Sequence, residues 1–246
     1  MKAIILAAGR GSRMGNLTRK LPKCMTVLFN KKLIEWQFLS LNHTSISEIG
    51  IVTGYLKNTF KYKNRYFVNN NWENSNMVSS LLTANDWLRN DTCIISYSDI
   101  IYEKKIIDQL IKSKGDIVIT YDPNWLNLWK IRFEDPLIDA ENFRIKNNVL
   151  ENIGGKSKNL SFIQGQYMGL IKFTKAGWNK VENFLNKLNQ NEVDNLDMTQ
   201  LFKKLLKQGF IINCIAIDGK WLEIDTESDL INYQLNYDNP FVLDMV

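Results

Sequence analysis

Residues 2–14 read Lys2-Ala3-Ile4-Ile5-Leu6-Ala7-Ala8-Gly9-Arg10-Gly11-Ser12-Arg13-Met14. An apolar, β-branched run that ends in two alanines and two glycines predicts a strand covered on both faces, opening into a loop whose backbone can approach a ligand. Consecutive amides in such a turn form an anion nest, and Arg13 adds a planar, permanently charged fork suited to phosphate oxygens. The spacing Gly9-x-Gly11-x-x-Met14 lacks the third glycine of a dinucleotide fingerprint, and no Gly-Lys-Ser/Thr follows, which excludes a Walker A loop. Twelve residues past Gly11, Leu21-Pro22-Lys23 sets a lysine directly after a stiffening proline, a second fixed cation near the same nest.

Outward from this stretch, β-branched runs alternate with amphipathic segments. Strands are predicted at 2–7, 48–53, 65–68, 92–97, 116–121 and 211–217, and helices at 33–41, 77–88, 104–112, 176–188, 198–207 and 227–237. The alternation predicts an α/β fold with a mostly parallel, doubly wound sheet and right-handed crossovers. Met77, Val78, Leu81, Leu82, Ala84 and Leu88 form the clearest helical stripe. With four prolines and no linker-like stretch, residues 1–246 are expected to form one domain. The rhythm breaks only at 123–161, where Trp125, Trp129 and Gly154-Gly155 predict an insertion, carrying a short helix and a hairpin, packed over the sheet.

The chain has 246 residues, 31 Lys+Arg, 26 Asp+Glu and one histidine, giving a formal net charge of +5. His43 alone cannot supply a two-histidine metal site, and Cys24, Cys93 and Cys214 never occur as Cys-x-x-Cys, which excludes zinc-ribbon and thioredoxin chemistry. His43 sits in the polar stretch Leu41-Asn42-His43-Thr44-Ser45 and reads as a surface-loop residue rather than a triad base. The longest apolar run, Ala3 to Ala8, is six residues, too short for a membrane span or a signal-peptide core. Widely spaced cysteines suit a reducing compartment, so a soluble, cytoplasmic protein with no membrane partner is expected. The basic residues are scattered without an aromatic-basic repeat, so no nucleic-acid partner is expected. The apolar Asn239-Pro240-Phe241-Val242-Leu243 suits either its own domain or a partner chain, and oligomeric state is not readable.

Leu6-Ala7-Ala8-Gly9-x-Gly11-x-Arg13-Met14 followed by Leu21-Pro22-Lys23 resembles the signature of the nucleotidyltransferase superfamily, which makes nucleotide-activated sugars, polyols and cholines from nucleoside triphosphates. Val52-Thr53-Gly54-Tyr55, Ser98-Asp99 and Trp221-Leu222-Glu223-Ile224-Asp225-Thr226 carry the similarity along nearly the full length. Asn71 through Leu81 and the Glu-Ile-Asp-Thr-Glu-Ser-Asp-Leu ending at 223–230 resemble the CTP:phosphocholine cytidylyltransferase branch, with its phosphoglutamine- and 2-aminoethylphosphonate-activating relatives.

The resemblance implies a single-domain, Rossmann-like nucleotidyltransferase fold with a mostly parallel mixed sheet. It implies transfer of CMP from CTP to a small phosphate or phosphonate acceptor, yielding pyrophosphate and a CDP-linked product for cell-surface polysaccharide modification. It gives catalytic roles to Arg13, Lys23, Asp99 and Asp225, and nucleotide contacts to Leu6, Ala7, Ala8, Gly9, Gly11, Ser12, Arg13, Lys23, Gly54, Asn76, Ser79, Ser80 and Ser98. It also implies Mg2+ on Asp99 and Asp225, in keeping with magnesium's use of one or two carboxylates plus phosphate oxygens. Each of these residues has a plainer reading: Asp99 as a turn residue, Asp225 as a helix-entry carboxylate before a Thr226–Asp229 capping box, and Asn76 as an N-cap. Ser98-Asp99 departs from the Gly-Asp of many relatives.

For the acceptor, Tyr121, Trp125, Trp129, Tyr167 and Trp221 flank the insertion, and an aromatic box with Asp122 or Glu141 would suit a quaternary ammonium. Lys130 and Arg132 would instead suit an acceptor carboxylate. Trp125, Trp129, Arg132, Tyr167 and Glu223 are the candidate acceptor-side residues; both acceptor chemistries stay open, as does simple aromatic packing. A sugar-1-phosphate nucleotidyltransferase and a catalytically silent nucleotide-binding subunit are the alternative readings.

Overall fold

A computed structural model of the chain describes residues 1–236. Among these residues the main sheet has nine strands in the spatial order Arg65–Val68, Glu48–Thr53, Lys2–Ala7, Cys93–Tyr97, Gln166–Phe173, Ile117–Asp122, Asn213–Ala216, Val149–Lys156 and Glu141–Lys146. Gln166–Phe173 and Val149–Lys156 run against the rest, so the sheet is mixed and mostly parallel. Successive side chains of a strand point to opposite faces, and the Lys2–Ala7 run is apolar throughout because both faces are covered. Ala3, Ile5 and Ala7 join the layer of Trp36 and Ile107, while Ile4 and Leu6 join the layer of Leu81, Trp178 and Phe202. No helix among the described residues is long and apolar enough to cross a membrane.

The strands expected at 2–7, 48–53 and 65–68 have those bounds, as do the helices at 33–41, 104–112 and 198–207. The last helix is described as Glu227–Asn236; Tyr237 and the apolar stretch 239–243 lie outside the described residues. The single helix expected at 77–88 is two, Met77–Leu82 and Asn85–Asn90, because Ala84 leaves helical geometry at φ −97° and ψ 20°. At that break Asn85 accepts from the Trp178 indole at 2.7 Å and donates to Glu182 at 2.5 Å, tying the segment to the Lys175–Leu185 helix. Val78, Leu81, Ala84 and Leu88 are buried nonetheless, so the stripe marks the inner face but not the continuity of the helix.

Two features depart from the sequence reading. The Gln166–Phe173 strand, set in the middle of the sheet, is not among the strands expected from the sequence; Gly169 takes φ +88°, and the register shifts between Tyr167 and Ile171. A Cβ at Gly169 would lie 2.8 Å from the Tyr97 ring, so this strand passes Tyr97 backbone to face. The segment 123–161 does not lie over the sheet as a unit. Its helix, Trp125–Arg132, packs against Glu227–Asn236, but its hairpin continues the sheet beyond Asn213–Ala216, with Leu150 N–H donating to Ile212 and Cys214 N–H to Asn148. Strand edges expose unpaired backbone groups, and the hairpin covers this one.

Candidate active site

A cleft of about 230 Å³ opens at the carboxyl ends of Lys2–Ala7 and Cys93–Tyr97, where open α/β sheets bind ligands. Leu6, Ala8, Gly9, Gly11, Arg13 and Lys23 form one wall; Trp72, Ser75, Asn76, Met77 and Ser80 form another; Tyr97, Ser98 and Asp99 close it. A larger depression of about 950 Å³ lies at the opposite ends of the strands, around Met1, Thr92, Ile117 and Asn213. It has no paired carboxylates or glycine loop, and Lys172 at its lining donates to the carbonyl and hydroxyl of Ser113 as a helix C-terminal cap.

The glycine loop is shaped around Lys23. Gly11 stands at φ +69°, and a Cβ there would lie 2.7 Å from Lys23 Cβ and 2.8 Å from its Cδ, so the lysine stem passes directly beneath the loop. Pro22, extended at ψ 150°, turns the chain into the short Lys23–Met25 turn that aims the side chain inward. Thr18 donates to the Gly11 carbonyl at 3.1 Å, and the Tyr55 hydroxyl donates to the carbonyls of Thr18 and Arg19, pinning the far end of the loop.

A small antiparallel ribbon, Ile100–Tyr102 with Trp221–Glu223, brings the two aspartates together across 126 residues of sequence. Ile224 N–H donates to the Asp99 carbonyl at 2.8 Å, which sets Asp225 beside Asp99. The Thr226–Asp229 capping box forms: Asp229 Oδ2 accepts from the amides of Asp225 and Thr226, and Thr226 Oγ1 accepts from Asp229 N–H. Lys23 Nζ lies 2.8 Å from Asp99 Oδ2 and 2.5 Å from Asp225 Oδ1, and Arg13 reaches the same Asp225 oxygen at 3.0 Å. Burial works against the Lys23 charge, but the two carboxylates outweigh it and hold the ammonium above its ordinary pKa. Burial would raise Asp225 as well; Lys23, Arg13 and Arg132 overcome this and keep its carboxyl below the usual range. Asp99 Oδ1 is buried with no hydrogen-bond partner among the described residues. An orphaned carboxylate oxygen beside a second carboxylate is a fitting donor set for a hard cation that completes its shell with phosphate oxygens and water.

Behind the pair stands Arg132, its side chain fully enclosed. It donates to Glu223, to Asp225 Oδ2 at 3.2 Å and to Asp229 Oδ1 at 3.1 Å. The expected contact of Arg132 with an acceptor carboxylate therefore does not hold: three carboxylates of this chain take the guanidinium, and no face of it reaches solvent. Glu223 is likewise engaged by Arg132, and burial pushes it up to about 8 despite that partner, with Asp225 and Asp99 adding like charge.

The remaining candidates divide. Leu6, Ala8, Gly9, Gly11, Asn76, Ser80 and Ser98 line the cleft with Arg13, Lys23 and Asp99. Asn76 also caps the Met77–Leu82 helix. Ala7 faces the opposite core layer, and Ser12 lies exposed outside the lining. Ser79 donates to Asp194 at 2.6 Å, which fixes one helix to another. Gly54 packs behind the loop, where a Cβ would meet Trp72 Cβ at 2.6 Å and the Ala8 carbonyl at 2.8 Å. Trp125 and Trp129 are 4% and 3% exposed; Trp125 meets Trp129 edge-on, and Trp129 packs against Trp221, whose indole donates to Asp122 at 2.9 Å, so these rings are a packed layer and not an open box. Tyr167 stands behind Tyr97, edge-on to it and to Phe202. Trp72, Ser75, Met77 and Tyr97 also line the cleft, though none is among the nucleotide contacts expected from the sequence. Trp72 carried a readable signal, a large aromatic among asparagines just before a helix.

Residues 3–139 match the MobA-like NTP transferase domain. The chain is 36% identical to the CTP:phosphoglutamine cytidylyltransferase of Campylobacter jejuni, over 94% of this chain and 98% of that one. It is 28% identical to the choline-phosphate cytidylyltransferase of Streptococcus pneumoniae, over 83% and 96% of the two chains. The solved CTP:phosphocholine cytidylyltransferase of Streptococcus pneumoniae shares the fold, with a TM-score of 0.72 at 23% identity over 96% of this chain and 99% of that one.

Proposed function

Because the chain belongs to the MobA-like NTP transferase family, we propose that it transfers the cytidylyl group of CTP to a small phosphorylated acceptor, in the manner named for its phosphoglutamine and choline-phosphate relatives. The observation that carries this reading is the meeting of Lys23, Arg13, Asp99 and Asp225 at the mouth of the glycine loop. An acceptor phosphate oxygen attacks the α-phosphorus, the bond from that phosphorus to the bridging oxygen breaks, and pyrophosphate leaves. The attacking oxygen is already ionised near neutral pH, so no imidazole or other strong base is needed. What the reaction requires is positioning of two anions and neutralisation of charge.

The backbone at Gly9 and Gly11 lies against the triphosphate, and Arg13 and Lys23 donate to its oxygens. Asp99 and Asp225 would hold Mg2+, which when bound supplies charge neutralisation and orientation of the phosphates. Trp72, Asn76 and Ser80 lie where an aromatic face and polar groups would meet the nucleoside. The CDP-linked product would serve as an activated donor for polysaccharide modification.

The test is pyrophosphate release with CTP, UTP, GTP, ATP and dTTP, in the presence of Mg2+, against phosphoglutamine, phosphocholine, 2-aminoethylphosphonate and sugar phosphates. Turnover is expected with CTP and one phosphate or phosphonate of the first three. Turnover only with sugar phosphates, or with none of the acceptors, would overturn the reading.

A further inference from the structure

Three of the four oxygens of the carboxylates assigned above to a metal are taken by the protein's own cations. Asp225 Oδ1 accepts from Lys23 at 2.5 Å and from Arg13 at 3.0 Å, Asp225 Oδ2 accepts from Arg132 at 3.2 Å, and Asp99 Oδ2 accepts from Lys23 at 2.8 Å. Asp99 Oδ1 has no partner among the described residues. We propose that Lys23, with Arg13, competes with the divalent cation for these oxygens, so that the metal enters only as the nucleotide takes the two side chains away. The inference rests on the reading of Asp99 and Asp225 as the metal-holding pair.

A divalent ion needs bare carboxylate oxygens at about 2.0–2.1 Å, the same lone pairs that the ammonium now occupies, and two cations cannot share them without strong repulsion. The side chains differ in how firmly they are held. Arg132 is enclosed on all sides and stays with Asp225 throughout, as a fixed support. Arg13 is 64% exposed and free to swing. Lys23 is held by its stem, packed under Gly11, while its ammonium sits at the end of four flexible carbons. The group that can draw both away is a polyanion lying along the loop just above them, and a nucleoside triphosphate is that polyanion. Partner exchange follows: the phosphates take Lys23 and Arg13, and the carboxylates take the metal. Metal and nucleotide then favour each other's binding by the same factor, as linkage requires. Residues that look like two separate binding sets are one set with two alternative pairings.

Mn2+ binding to the full-length protein, followed by electron paramagnetic resonance in the absence of nucleotide, reads this competition directly. Lys23→Met is expected to bind Mn2+ more tightly than wild type by about 5–150-fold, the usual range of a coupling between sites. Adding Asp99→Asn to that variant should abolish the gain and so locate the ion. Arg13→Met, altered at an exposed side chain whose carboxylate contact is with Asp225, should show a smaller gain of the same sign. Equal or weaker Mn2+ binding by Lys23→Met, with a normal melting transition, overturns the inference. If Lys23→Met does not fold, Arg13→Met decides in its place, and no gain there overturns it equally. Pyrophosphate release by wild type is scored separately: turnover without the Mn2+ gain sinks this inference alone, and the gain without turnover sinks only the proposed function.

Discussion

Lys23 and Arg132 show how differently two buried cations can serve one pair of carboxylates. Lys23 touches the oxygens at the cleft, and removal of one preorganised charge-stabilising donor elsewhere lowers turnover by about 10²–10³. Lys23→Ala is expected to fall by that much in steady-state pyrophosphate release, with near-normal turnover as the refuting result. Arg132 acts through Asp225 and is a positioning residue. A lysine there is a point charge that cannot span Glu223, Asp225 and Asp229 at once. Loss of such supports behind metal ligands typically costs about 10–100-fold in metal affinity, so Arg132→Lys should need that much more Mg2+ for half-maximal rate. A unchanged Mg2+ requirement would assign Arg132 to stability alone. At this scale the N-terminal loop was legible because its residues are contiguous: strand, glycines, arginine and proline-lysine all fall within the first 23 positions. Arg132 was legible as a charge but not as a support, since its partners lie 91 to 97 positions away. The same holds for Trp129, whose partner Trp221 comes from the ribbon that aligns the aspartates.

Between elements, the fold depends on a few close approaches that residue patterns announce only weakly. Gly50 lies in the Glu48–Thr53 strand where a Cβ would stand 2.7 Å from Phe67 and 2.8 Å from Trp87, two rings that meet edge to face. Gly50→Ala should therefore destabilise by about 1–3 kcal/mol in chemical denaturation, the usual result of overpacking. Across the sheet's helical face, Glu182 accepts from Asn85 and Arg89, and Arg89 chiefly holds its carboxyl below the ordinary value. A carboxylate with a depressed pKa contributes stability above its unfolded value near 4.5, and that contribution is lost as pH falls through the folded value. Glu182→Gln should thus melt below wild type at pH 7, with the gap narrowing toward pH 3; a gap independent of pH would refute the ion-pair account. The apolar strands were readable because burial on both faces leaves no polar alternation to confuse them. Gln166–Phe173 was not, because a glycine at positive φ interrupts its run, and the glycine answers to Tyr97 on another strand. The hairpin at 141–156 was foreseen as a hairpin, but its place at the sheet edge depends on a free edge at Asn213–Ala216 that no local pattern reveals.

Over the whole molecule, the cleft is lined by residues from Leu6 to Asp99 and its charge centre is completed by Asp225, so a ligand that binds there ties together segments far apart in sequence and should stabilise the fold. At about 100 times its dissociation constant a ligand adds about 2.7 kcal/mol to the folded state. CTP with Mg2+ should raise the melting temperature correspondingly, and UTP at equal concentration should raise it less; equal shifts would argue against pyrimidine discrimination by the free enzyme. The order of the sheet, from the edge Arg65–Val68 to the edge Glu141–Lys146, follows from strand alternation only up to Cys93–Tyr97; beyond it the antiparallel Gln166–Phe173 inserts before Ile117–Asp122, and the hairpin extends the far edge. The 202 positions between Lys23 and Asp225 also have a bearing on biosynthesis. A ribosome adds about 5–20 residues per second, so the lysine emerges some tens of seconds or less, but always well, before its second carboxylate. Cys93–Tyr97 and Asp99 follow the strands Lys2–Ala7 and Glu48–Thr53 in the chain, whereas the ribbon strand Trp221–Glu223 and Asp225 are made more than a hundred residues later. The charge centre thus gains its second carboxylate 126 residues after its first, and chemical competence waits on the ribbon strand that precedes it.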